Sequence, residues 1–220
     1  MNSVFWALVR KDLYLMRGFM IATIATGLLA ALLTRFGKMG FAVGGVLFLT
    51  ADIASGIFIA MYSLMAERKG QSRLFALSLP ISGFRYDLTK LVSGYLSYGI
   101  PWLVLTGLAL AAFLAPGTEH GMVVYVLLLQ FFVLALFGVI LTALSIVTSE
   151  AKSGLVILLV NMCFSLFVVQ LNQPQIAGPL HSPTIVWTPF AMAALPAEAV
   201  VFVLSLAVAL YSMSRRRDFT

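Results

Sequence analysis

A chain of 220 residues in which 61% are hydrophobic and only 10% are charged departs from soluble domains, which carry roughly 25% charged and about 45–50% apolar residues. A single larger core cannot absorb the difference, because a core of this size still needs a polar shell; lipid must solvate most of the surface. The formal net charge of +6 sits in short clusters between apolar runs, where cations face anionic headgroups, so it points away from nucleic acid as a partner.

The first eighteen residues predict an amphipathic interfacial helix, an elbow ahead of the first span. At 100° per residue Phe5, Trp6, Leu8, Val9, Leu13, Leu15 and Met16 fall on one broad face and Arg10, Lys11, Tyr14 and Arg17 on the other. Asp12 lands inside the apolar arc and needs a partner. Arg10, Lys11 and Arg17 before the apolar stretch 19–34 fit the start of a signal peptide. Arg35 and Lys38 follow at once, however, and no small-x-small cleavage site precedes a soluble domain, so the stretch reads as a retained span.

Six apolar runs follow one another: 19–34, 41–66, 91–115, 122–147, 154–171 and 196–214. Each approaches the roughly 20 residues that a helix needs to cross the hydrocarbon. The runs are continuous and lack the alternation of barrel strands. The expected fold class is therefore an all-α membrane protein with six transmembrane helices, forming a single transmembrane domain over 1–220. Twelve Lys and Arg residues lie in one set of connections and two, Arg35 and Lys38, in the other. That asymmetry places both termini in the cytoplasm of a multi-pass protein of the bacterial plasma (inner) membrane.

Two connections carry structure. In 67–90, residues 69–79 read as a short amphipathic helix, the segment splits at Pro80 and Ser82, and Ser82 is positioned to cap a helix running through Arg85 and Lys90 into the third span. The uncharged segment 172–195 contains Pro174, Pro179, Pro183 and Pro189. Thr188 before Pro189 has the form of an N-cap with proline at the first helical position. A short re-entrant or capping helix over 189–195 is expected there, with Pro196 opening the last span.

Few residues are equipped for chemistry. Asp52 lies near the middle of the second span, where a carboxylate is costly and faces a bundle interior or a cavity. It is either a pathway residue or a group bonded to Thr50, Ser55 or another helix. Asn161, Gln170 and Asn172 place amides along the fifth span, where they bond across helices or line a cleft. Asp52, Asn161 and Gln170 are the candidate translocation residues. Glu198, near the outer end of the sixth span, and His120, beside Glu119, read as solvated surface groups, and His181 lies in the proline-rich segment. No spacing supports a metal site or a catalytic triad. Cys163, the single cysteine, excludes an intrachain disulfide and a cysteine zinc site. Gly44, Gly45 and Gly56 invite close helix approach without defining a dimer face. No GxxxxGK[ST] occurs, so the chain lacks a P-loop of its own.

Three stretches, in this order, resemble the membrane subunit of a type-2 ATP-binding-cassette (ABC) transporter: LVRKDLYLMRG at the entry helix, ERKGQSRLFALSLPISGFRYDLTK after the second span, and WTPFAMAAL before the last. The resemblance covers essentially the whole chain. It implies a coupling helix within 67–90, with Glu67, Arg68, Arg73 and Arg85 as docking contacts for an ATPase and Leu74, Phe75 and Leu77 filling its groove. It implies no catalytic role for this chain and no cofactor bound by it, since ATP and Mg would reside on a partner. The implied partners are cytoplasmic ABC ATPase subunits, a second permease subunit in a homo- or heterodimer, and membrane lipid. The implied function is ATP-driven export of an amphipathic substrate such as a peptide antibiotic, a drug or a lipid-like molecule. Two alternatives stay open: a proton-coupled secondary transporter working through Asp52, and a non-transporting immunity or assembly subunit.

Overall fold

A computed structural model describes residues 2–66, 82–115, 118–147 and 149–215. The described residues are helical throughout with no strand, and six helices are long and apolar enough to cross a membrane. They are α1 (Asn2–Leu33), α2 (Gly37–Met61), α3 (Gly83–Phe113), α4 (Met122–Ile146), α5 (Glu150–Leu171) and α7 (Pro189–Arg215); a short α6 (Pro174–Ala177) and a 3₁₀ turn (Gly178–His181) lie between the last two. A π-turn, Tyr62–Ala66, extends α2.

Two expectations change. The elbow and first span are one helix of 32 residues, about 48 Å long, well beyond a hydrocarbon core of about 30 Å. No proline interrupts it, and its first half packs along α3 as its second half does. Its buried side is consequently Val9, Asp12 and Met16, spaced to one face, while Trp6 and Leu15 are exposed. The proline-rich segment changes in the same way. Thr188 caps as expected, its Oγ1 accepting from Ala191 N at 3.1 Å, but the helix then runs through Pro196 into the last span without a break. The short capping helix lies earlier, at α6, where Ile176 is buried. Ser82 caps α3 as the sequence indicates, accepting from Arg85 N at 3.4 Å.

The two most extensive helix pairs, α1 with α3 and α4 with α7, run parallel. Along α1 and α3 the contacts keep one offset: Asp12 meets Lys90, and Gly27 lies against Leu105. Along α4 and α7, Gly138 faces Ser205 and Phe202, and Thr142 Oγ1 donates to Ser205 O at 2.9 Å. α4 is the centre of the bundle, with α2, α3, α5 and α7 all packed on it. Its neighbours can therefore be apolar on every side, and it has the highest hydropathy of the six helices. Tyr98, Phe137, Leu141 and Ile59 form the densest part of the core, with the Tyr98 and Phe137 rings stacked 4.1 Å apart.

Gly138 is where α4 and α7 come closest. A Cβ there would sit 2.6 Å from Ser205 Oγ and 3.2 Å from Phe202. Gly138→Leu is expected to lower the unfolding midpoint in detergent, at a cost of about 1–3 kcal/mol from overpacking. Gly99→Leu in α3, where an added Cβ meets nothing within 4 Å, is the control that keeps its midpoint. Equal midpoints for the two variants would refute the close approach. Among the other glycines, Gly37 holds φ +72° at the turn between α1 and α2, a conformation favouring glycine. Gly44 abuts α1 and Gly56 abuts Tyr98, while Gly45 faces open space.

Candidate functional site

Six of the seven docking residues, Glu67, Arg68, Arg73, Leu74, Phe75 and Leu77, lie outside the described residues. The two ends of their segment are described. One is the π-turn at the end of α2; the other is Ser82, which starts α3 with Arg85 exposed in its first turn. Two turns further along, Lys90 is buried and its Nζ lies 2.8 Å from Asp12 Oδ2. Ser93 Oγ donates to the same oxygen at 3.1 Å. This is the partner that Asp12 required. With both charges under 10% exposed, the pair is costly to desolvate and holds because the lysine and the serine hydroxyl converge on the carboxylate. It ties the first helix to the start of α3, eight residues from the cap.

The second polar cluster lies deep among α2, α3 and α4. Asp52 is fully buried, and Tyr98 Oη donates to its Oδ1 at 3.0 Å. The Gln130 amide approaches the same carboxyl without closing a hydrogen bond to Oδ2, which has no partner. Gln130 Oε1 in turn accepts from Thr106 at 3.0 Å, and Trp102 Nε1 donates to the Gln130 carbonyl at 2.9 Å. Ser55 spends its hydroxyl on the Asp52 backbone carbonyl, not on the carboxylate. Of the readings open for Asp52, the bond to another helix is the one observed.

The three candidate translocation residues do not converge. Asp52 lines neither of two cavities found in the bundle. Asn161 is half-buried beside a void of about 20 Å³ next to Tyr98 and Gly56, and its Nδ2 bonds back to Ile157 O at 3.0 Å. Gln170 is exposed and accepts from Gln173 at 2.9 Å. Glu198 requires correction. It is 5% exposed, not a solvated surface group, and neither carboxylate oxygen has a hydrogen-bond partner among the described residues. The reason is the continuation of α7 above Pro196, which places Glu198 in the buried stripe Ala191–Glu198–Ser205–Ala209–Met213 that turns inward. Cys163 is a free, exposed thiol, and among the described residues no cluster of His, Cys, Asp and Glu could hold a metal.

The larger cavity, of about 460 Å³, lies at the other end of the bundle from the Asp12–Lys90 pair. It opens between α1, α2, α3 and α4, with Asn172 at the end of α5 at its edge. Sequence reasoning missed it, because its walls are small and aromatic residues that read simply as span. Gln130 was the available signal, as the one amide in the otherwise apolar α4.

Six long apolar helices around a buried polar centre define a multi-pass helical membrane protein. The sequence matches the family described as ABC-2 family transporter protein over residues 7–214. The chain belongs to that family and is a permease subunit of an ABC transporter. No curated protein and no solved structure matches it.

Proposed function

We propose that this chain is the membrane half of an ATP-driven exporter. Both ends lie in the cytoplasm, a separate ATPase docks on residues 67–81 with Arg85, and two permease subunits form the path for an amphipathic substrate. The family match over nearly the whole chain carries the reading. The lysine and arginine asymmetry gives the orientation. The placement of the Asp12–Lys90 pair supports the docking site. An ATPase pushing on 67–81 delivers its displacement to α3 through Ser82, and the buried pair passes it to α1, so two spans move together. A lipid-like or amphipathic cargo fits a bundle whose larger cavity has no charged residue on its wall.

The test is purification of the chain in mild detergent from its native cells, with identification of stoichiometric companions. A soluble P-loop ATPase is expected to co-purify and to be lost when Leu74 and Phe75 are both changed to Asp. Recovery of the chain without an ATPase, under conditions that preserve a known membrane complex, would refute the docking reading.

A further inference from the structure

We infer that the 460 Å³ cavity is a binding site, within one subunit, for the hydrocarbon chain of an anionic amphiphile drawn from the membrane.

Size and wall chemistry carry the first half of this inference. The volume falls in the range of ligand sites, about 300–1,000 Å³. The wall is built from small residues such as Ala30, Ala42 and Gly45 and is flanked by Phe41 and Phe113. None of its residues is charged. Most of the wall offers water no hydrogen-bond partner, and apolar cavities of this kind take up apolar molecules. Gly45 bears directly on this, because an added Cβ there meets nothing within 4 Å. Gly27, Gly44, Gly56, Gly94 and Gly138 each have a close neighbour where a side chain would stand, whereas Gly99 and Gly107 face open space off the cavity. At Gly45 there is no such neighbour, and the space it leaves belongs to the cavity.

Charge carries the second half. Thr34, on the cavity wall, precedes Arg35, and Phe41, also on the wall, follows Lys38 by three residues. Both cations are exposed and make no ion pair among the described residues. Among the described residues they are the only Lys or Arg at this end of the bundle, and both stand in the turn between the wall residues Thr34 and Phe41. The exposed acid Glu119 lies in the connection between α3 and α4, whose flanking residues Phe113 and Met122 also line the cavity. A tail in the cavity would leave its headgroup at the level of this turn, where a phosphate or carboxylate meets two unpaired cations. The wall polar groups Tyr125 and Asn172 and the deep Gln130 offer hydrogen bonds but no charge, which suits an ester or hydroxyl of the same molecule.

The inference does not depend on an ATPase, so it can be read without ATP. The full chain is reconstituted in nanodiscs of phosphatidylcholine doped with phosphatidylglycerol bearing a photoactivatable diazirine in its acyl tail, irradiated, digested and mapped by mass spectrometry. Label is expected on peptides covering 41–49 and 122–130. Gly45→Leu should fill the cavity and lower that labelling by about tenfold, the scale on which a pocket responds to added methylenes. Gly107→Leu, on α3 away from the cavity and equally free of neighbours, should leave it unchanged. Ala42→Leu on the same wall gives a second reading if Gly45→Leu is poorly produced. Replacing Arg35 and Lys38 with Ala should reduce labelling by the phosphatidylglycerol probe but not by a phosphatidylcholine probe with the same tail. Labelling confined to lipid-facing residues such as Leu158 and Leu166 of α5, or equal loss in the Gly45 and Gly107 variants, would overturn the site. Labelling that is indifferent to headgroup, with and without Arg35 and Lys38, would overturn its anionic character.

Discussion

Asp12→Ala is expected to destabilise the protein by about 3–5 kcal/mol, because it removes the carboxylate that Lys90, 6% exposed, bonds at 2.8 Å. Lys90→Ala should cost a similar amount, since the carboxylate then keeps only Ser93 and the more distant Lys11, 3.7 Å from Oδ1. Replacing both with apolar residues, Asp12→Leu with Lys90→Met, should recover much of the loss, as removing both charges also removes the desolvation cost. The measurement is the unfolding midpoint of the detergent-solubilised chain, followed by size-exclusion fluorescence. Single variants as stable as the wild type would show that the pair is open to water. The double variant has a second use. If it folds normally yet loses ATP-driven transport, the pair transmits motion from residues 67–81 to α1 as well as holding the helices together.

The second large effect concerns Asp52. Asp52→Ala removes the acceptor of Tyr98 Oη at a fully buried site, and an orphaned hydroxyl there costs about 1–3 kcal/mol before any void is counted. Asp52→Asn keeps an acceptor oxygen for Tyr98 and is expected to retain most of the stability. Because Asp52 lies off both cavity walls, Asp52→Asn is also expected to leave ATP-coupled transport intact. Proton-coupled transport predicts the opposite: loss of transport in Asp52→Asn, and collapse of transport when the proton gradient is dissipated. Measuring transport with ATP and with an uncoupler in the same vesicles separates the two.

The helix count was legible because hydrocarbon imposes a length and a composition that no other environment demands, and six runs met both. Capping at Ser82 and Thr188 was legible for a local reason: the donor and acceptor lie within three residues of each other. Extrapolating from local signals failed at the two helix junctions. Charge clustering before residue 19 suggested a separate elbow, and Pro196 suggested a break. In both places packing on a neighbouring helix carried the backbone straight on, with α3 supporting α1 and α4 supporting α7.

The sequence by itself determined that this is a six-helix membrane protein of the ABC-2 transporter class, that its cations are concentrated at one end, and that Asp12 had to find a partner. The helix count, the cation placement and the demand at Asp12 follow from composition and period, and the family from the resemblance of three stretches along the chain. Only the tertiary structure decided which partner that was, that Tyr98 and Gln130 gather around Asp52, that Glu198 is buried, and that Thr34 and Phe41, on either side of Arg35 and Lys38, line a cavity. Lys90 lies 78 residues from Asp12, and Tyr98 lies 46 from Asp52. Inside lipid every helix face is apolar, so hydrophobic pattern does not reveal which face turns inward; contact with a particular neighbouring helix does.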